Sequence, residues 1–463
     1  MSISVAVPPS VVNLIQQGML QRAFHEGLYP NLGFRAEALM EEWPAGSGEE
    51  HFMTREGIIA PVTKPIVPGT DPLPSETPYE QWTAKLEQFA NAKDVNIPTA
   101  AVAASNLFLA GIKQMGLNAG QSINRVARNR LFKAYLSGNS VTTAALLAGA
   151  TTIPVAALNG FRDVITSITI RPMPVSPSTP LAATIGVGGT SEVVSIIAFN
   201  PNNAADPDGP GTLTLAAGLV NGYATRAPFV SAYAPKVIRS SGGASIDSIG
   251  PSDTLNLQQV INAVAALRDA NVPPHEDGFF HAHISGAANA QFYQDPVFQR
   301  LNQSLPEHYI YKEGFVGTIA GVMFFMNTES PTKNNSGTTT STALQGVYSE
   351  DLGAETVNGA GVKIGRVIIT GKGCMYEKCM DENQFITEAG VNGKIGEFNV
   401  TNNGMQVLTE KIRLILRAPM DRLQQKVGIA WSISTSFAAP SDITAPSGPE
   451  RYKRAVCLEH ALA

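Results

Sequence analysis

Residues 275–283, HEDGFFHAH, gather five potential metal ligands: His275, Glu276, Asp277, His281 and His283. Imidazole nitrogens and carboxylate oxygens suit a zinc-type centre, where three protein ligands leave one position for an activated water. On an extended strand His281 and His283 share one face, with Cα atoms roughly 6.6 Å apart. That spacing is compatible with one ion, and His275, Glu276 or Asp277 would have to supply the third ligand. The chemistry implied is metal-dependent hydrolysis. Against it, the two acids follow NVPP in a turn-forming loop, where carboxylates are common for backbone reasons alone. No apolar surround and no further partner histidine is in view. The stretch therefore reads as a half-buried strand with polar imidazoles on its outer side. No catalytic, cofactor-binding or metal residue is assigned, and no cofactor is expected.

Other chemistry is thin. The sequence has no Gly-x-Ser-x-Gly elbow, no phosphate-binding Gly-x-x-x-x-Gly-Lys loop and no His-Glu-x-x-His. GVGGTS and GAGVKIG are rich in glycine but miss the dinucleotide spacing, and both fall between expected strands rather than before a helix. Cys374, Cys379 and Cys457 form neither a disulfide framework nor a Cys-x-x-Cys site, so reduced thiols in a cytosol are expected.

Composition narrows the class further. A chain of 463 residues has length for about three domains. Only 15% of residues are charged, against a typical ~25%, while 42 glycines and 31 prolines imply much strand and turn. So few charges point to a surface partly covered by other subunits. A net charge of −5 argues against a protein that coats nucleic acid. The start, MSISVAVPPSVVNLIQQGMLQRAF, lacks the basic opening and unbroken apolar core of a signal peptide. With Met1 as first residue, a form without a removed propeptide is expected. No apolar run reaches the ~18 residues that would span a membrane.

The elements follow from spacing. A short amphipathic helix is expected over 9–26, closed by Gly27. Residues 44–96 read as a two-stranded ribbon around a tip holding Pro61, Pro65, Pro68, Pro72, Pro74 and Pro78. Such a ribbon has almost no core of its own, so a neighbouring subunit is expected to hold it. Two helical halves over 98–137 meet at Gly116, with Ile123, Ala127, Leu131 and Ala134 on one stripe. Arg125, Arg128, Arg130 and Lys133 line the other face, read as solvated or salt-bridged rather than DNA-binding. Residues 141–245 carry few charges and alternate in short runs, the pattern of an all-β barrel or sandwich. A helix capped by Ser252 or Asp253 should bury Leu257, Ile261, Val264 and Leu267. A strand at 279–284, a short helix over 286–301 and further strands to Phe437 complete the pattern, with SPTKNNSGTTTSTALQG as a polar loop.

In this order the parts resemble the major capsid proteins of tailed bacteriophages, the HK-ninety-seven-like fold. The resemblance rests on QRAFHEGLYPNLGFRA, LNAGQSINRVARNRLFKAYLSG, PHEDGFFHAHIS, YKEGFVGTIAGVMFFMNTESP, RLILRAPMDRLQQKVGIAWS and RYKRAVCLEHA. None of these is a catalytic motif. The resemblance implies an α+β fold with an N-terminal arm (1–43) and an extended β-hairpin loop (44–96). A peripheral domain with a long spine helix (97–140) would follow, then an all-β insertion domain (141–245) and an axial domain (246–365). Residues 366–463 would hold the rest of the axial domain, the closing peripheral strands and a C-terminal tail. The simplest members lack the insertion, which leaves its role open. The implied function is structural: self-assembly, as pentamers and hexamers, into an icosahedral shell around double-stranded DNA. The implied partners are further copies of the chain, a portal and scaffolding or decoration proteins, with packaged DNA touched only loosely on the inner face and no membrane. The implied location is the virion, with assembly in the host cytoplasm. Two other readings stand beside it: an encapsulin-like compartment shell, and a metal-dependent hydrolase using His281 and His283.

Overall fold

The computed structural model describes residues 19–28, 33–56, 62–74, 79–96, 107–164, 172–303, 317–327, 356–380, 405–417, 423–440 and 454–462, apart from isolated positions. Residues 9–18 and 98–106 of the two expected helices, and the expected polar loop, lie outside these. The fold is α+β, and the described residues divide into two compact units. One is drawn from 1–51, 83–128 and 375–438, the other from 52–82, 129–374 and 439–463.

The first unit is built on a six-stranded sheet assembled from distant segments. Its long strand, Lys426–Ala438, pairs antiparallel with Ile412–Arg417 along one edge. Its other edge takes Glu87–Asn96 and then Met375–Cys379, which pairs in parallel with Ala38–Glu42. Alternation along the long strand turns Val427, Ile429, Trp431 and Ile433 inward. Helix α1 (Met19–Leu28) and the beginning of helix α2 (Leu107–Tyr135) belong to this unit. The Asn118 amide oxygen of α2 accepts from the Trp431 indole at 3.0 Å and from Asn91 at 2.8 Å.

Gly116 does not divide α2, which runs unbroken for 29 residues, or roughly 43 Å. The glycine has another use. A Cβ there would strike the Phe24 carbonyl of α1, and a Cβ at Gly27 would strike the backbone of Lys113 and Leu117. The two helices therefore cross backbone to backbone. The expected stripe is buried at Ile123, Ala127 and Leu131, whereas Ala134 is half-buried. On the expected basic face Lys133 is salt-bridged to Asp208 at 2.8 Å and Arg125 and Arg130 are half-buried, but Arg128 is fully buried, which corrects the expectation of a solvated face there.

The second unit contains two large sheets among its described residues. Between Asn139 and Ser231 six antiparallel strands run in the order 139–141, 228–231, 181–185, 192–201, 211–215, 152–155. A bridge from Thr142 to Val155 joins the two outer strands, so the sheet closes on itself around Ile153, Leu181, Ile185, Ile196, Leu213 and Phe229. The chain enters and leaves at one place, where the Ser231 amide donates to the Gly138 carbonyl at 2.8 Å. Gly138 has φ +71°, and a Cβ there would meet the Cβ of Ser231 at 2.9 Å.

The other sheet has seven strands. Along its main path lie 237–239, 455–461, 363–370, 280–284, 322–326 and 318–319, and 356–357 flanks 363–370. Helices α3 (Leu257–Asp269), α4 (Gly286–Gln294) and α5 (Pro296–Gln303) belong to the same unit. Val260, Val264 and Leu267 of α3, Phe292 of α4 and Phe298 of α5 join Ala282, Phe324, Val367 and Leu458 in one core. The N-cap of α3 is Asn256, in a capping box with Gln259, and not Ser252 or Asp253. Ile261 is 41% exposed, because the buried stripe runs through Leu257, Val260, Val264 and Leu267 instead. The helix expected over 286–301 is two helices, broken where Pro296 follows Asp295. All three cysteines are buried, and none is in a disulfide.

Candidate functional site

The histidine segment begins with a tight turn. The His275 amide donates to the Phe279 carbonyl and the Gly278 amide to the His275 carbonyl, both at 2.9 Å, with Gly278 at φ +84°. The strand Phe280–Ile284 follows, parallel to Val322–Met326 and antiparallel to Lys363–Thr370. Phe280, Ala282 and Ile284 face the core, as alternation requires.

The opposite face is not uniformly open. His281 is half-buried, but His283 is only 2% exposed and lies 5.7 Å from the Phe325 ring. This corrects the expectation of outward imidazoles on this strand. The turn, moreover, brings His281 together with His275 rather than with His283. The rings of His275 and His281 stack at 3.9 Å with 5° between their planes. His281 Nε2 meets the Asp277 carboxylate at 2.9 Å, and His275 Nε2 meets the Thr370 hydroxyl at 3.3 Å. Glu276 turns away to Lys372 at 3.1 Å. Burial opposes ionisation of Asp277, but the Phe279 amide and both imidazoles outweigh it and hold its carboxyl below the usual range. Asp277 thus serves the turn and His281, and Glu276 pairs with Lys372.

The ribbon presents the other candidate site. Glu50–Glu56 and Tyr79–Lys85 form its two strands, and the Gln81 amide donates to the Thr54 hydroxyl at 3.1 Å. At its base Met53, Arg55, Trp82 and Ala84 alternate along the strands and are buried. Its tip is different. Every residue whose surface is described between Val62 and Pro74 is exposed, including Val62 (81%), Val67 (67%) and Ile66 (55%). A turn closed by the Thr70 amide on the Val67 carbonyl at 3.1 Å, with Gly69 at φ +92°, fixes part of the tip. Ile58 and Ile59, expected to join this apolar set, lie outside the described residues.

Two buried ionic clusters were not foreseen from sequence. In the first unit Arg35 Nε meets the Glu377 carboxylate at 2.8 Å, and the Cys379 thiol and Thr435 hydroxyl also face it. In the second unit Glu459 is held by Arg366 Nε at 3.0 Å and Arg239 Nε at 2.9 Å. The one trace of the latter in sequence is a Glu-His pair inside the apolar run AVCLEHA.

No family model matches the sequence, and no curated protein matches it. Among solved structures, the chain is similar to the capsid of Ralstonia phage GP4, at TM-score 0.46 and 10% identity over 92% of this chain and 87% of that one. It is similar to the capsid asymmetric unit of cyanophage Pam1, at 0.47 and 9% over 92% and 89%. It is similar also to the capsid of Helicobacter pylori bacteriophage KHP30, at 0.40 and 9% over 92% and 88%.

Proposed function

We propose that this chain is the major capsid protein of a tailed bacteriophage, a structural protein that assembles into an icosahedral shell around double-stranded DNA. The observation that carries the reading is the ribbon tip. Three large apolar side chains, Val62, Ile66 and Val67, stand in solvent at the end of a two-stranded projection. Covering each would contribute about 1.5–3 kcal/mol, a gain that a subunit alone forgoes and that a contact with a second copy recovers. A projection on one surface received by a different surface is a heterologous contact, which closes a ring where the rotation between copies closes. The sequence resemblance agrees, because it gives this segment the place of an extended loop.

In this reading residues 1–43 are the arm, 97–140 carry the spine helix, 141–245 form an insertion, and 246–365 with part of 366–463 form the axial domain. The chain is not an enzyme and works in the virion, after assembly in the host cytoplasm. Its partners are its own copies, a portal and scaffolding or decoration proteins, and DNA touches the inner face loosely. No described helix is long and apolar enough to cross a membrane.

Electron microscopy of the expressed protein tests the reading. Closed shells or capsomer rings are expected, alone or with scaffolding protein. Only monodisperse monomers under all conditions, together with stoichiometric bound metal, would overturn it.

A further inference from the structure

We propose that the sheet of the second unit contains a slot for segment 455–461 of the same chain, keyed by Glu459, so that this segment docks as a separable and selective piece. The inference does not depend on the capsid reading. Strand Ala455–Ala461 is interior: it pairs in parallel with Val237–Arg239 and antiparallel with Lys363–Thr370. Without it those two strands would be separated by twice the ~4.8 Å interstrand spacing, with facing rows of unpaired backbone groups. All seven of its residues are buried. Val456 and Leu458 enter the main core, and Ala461 packs with Ile249 and Ile364. The ends are fastened as well. The Gly371 amide donates to the Arg454 carbonyl, the Leu462 amide to the Lys363 carbonyl, and the Gln291 side chain to the Ala461 carbonyl, each at 2.8 Å.

Glu459 sets the register. Its two oxygens separately accept from Arg366 and Arg239, and all three side chains are at least nine-tenths buried. With the strand absent, two buried guanidinium groups lose their carboxylate, the costly way to break a buried ion pair. A slip of one residue would send Glu459 to the opposite face and bring an apolar or imidazole side chain to the arginines. A generic apolar segment therefore fills the slot poorly.

The test uses the full chain with a protease site inserted after Ser447, cleaved after folding. The C-terminal fragment should co-elute with the body on gel filtration. It should exchange with a labelled peptide of residues 451–463, and the Glu459→Gln peptide should bind at least ~100-fold more weakly. Loss of the fragment without change in the melting of the body would overturn the proposal. So would binding of the Glu459→Gln peptide within ~3-fold of the native one. If cleavage instead precipitates the protein, hydrogen exchange on the uncut chain decides. Glu459→Gln should deprotect amides of both 237–239 and 363–370, and unchanged protection there would overturn the proposal.

Discussion

Mild acid should loosen the second unit through one side chain, His460. The ring is 1% exposed and its Nδ1 lies 3.0 Å from the Ala461 carbonyl, so Nδ1 carries the proton and the imidazole is neutral. Burial lowers its pKa from 6.5 to about 4, and the Ala461 carbonyl and Glu459, which favour the charged ring, do not offset this. The folded pKa lies below the unfolded one, so between these values the unfolded chain binds more protons. The contribution is therefore complete above pH 6.5 and is lost as pH falls towards about 4. The gap between about 4 and 6.5 sets a ceiling of about 3 kcal/mol, of which about 2 kcal/mol should be gone at pH 5. Carboxylates titrate in the same window, so the informative quantity is a difference between proteins. His460→Asn keeps a donor near the Nδ1 position and cannot be protonated. Urea unfolding at pH 7.5 and pH 5, read by hydrogen exchange of residues 455–461, should show the native chain losing about 2 kcal/mol more than the variant. Equal losses, within about 0.5 kcal/mol, would refute the argument.

Other outcomes can be checked alongside. Deleting residues 62–74 should leave a soluble subunit with an unchanged melting transition but abolish closed shells in electron micrographs, and normal shells would exclude the tip from assembly. Replacing 140–230 by two or three glycines should give a chain that still folds, because Gly138 and Ser231 already lie one hydrogen bond apart; wholly insoluble protein would place the closed sheet in the common core. Gly116→Val should destabilise the first unit by about 2 kcal/mol or more and expose α1 to protease, since the added atoms meet the Phe24 backbone. His281→Asn should change melting and assembly little, whereas buried His283→Asn should cost about 1–3 kcal/mol, and calorimetry of the two single variants separates them.

Local periodicity carried much of this architecture, and its failures have physical causes. The Ile123–Ala127–Leu131 stripe was legible because a 3.6-residue period survives any tertiary context. Gly116 was misread as a break because a glycine that ends a helix and one that admits a second backbone look alike in sequence. Ser252, Asp253 and Asn256 are all competent caps, and only the Gln259 amide, returning to the Asn256 backbone, selects among them. The outward face of the histidine strand was misjudged at His283 because alternation fixes a side, not what covers it. The pairing of His275 with His281 depends on the turn at Gly278. The buried ionic clusters were invisible for a simpler reason: Arg35 and Glu377 lie 342 positions apart, and Arg239 and Glu459 lie 220 apart.

The buried cysteines make the chain its own reporter of opening. Burial and the neighbouring Glu377 carboxylate push the Cys379 thiol up to about 11, so only about one molecule in a thousand carries the reactive thiolate at pH 8. Burial likewise raises Cys457, with Glu459 adding to it. A thiol reagent can thus label either position only in molecules that have transiently opened there. Cys379 reads the first unit and Cys457 the second, which turns labelling rates into two separate clocks. Run on free chains and on assembled particles, they would show which unit assembly holds shut, with no probe introduced and no residue replaced.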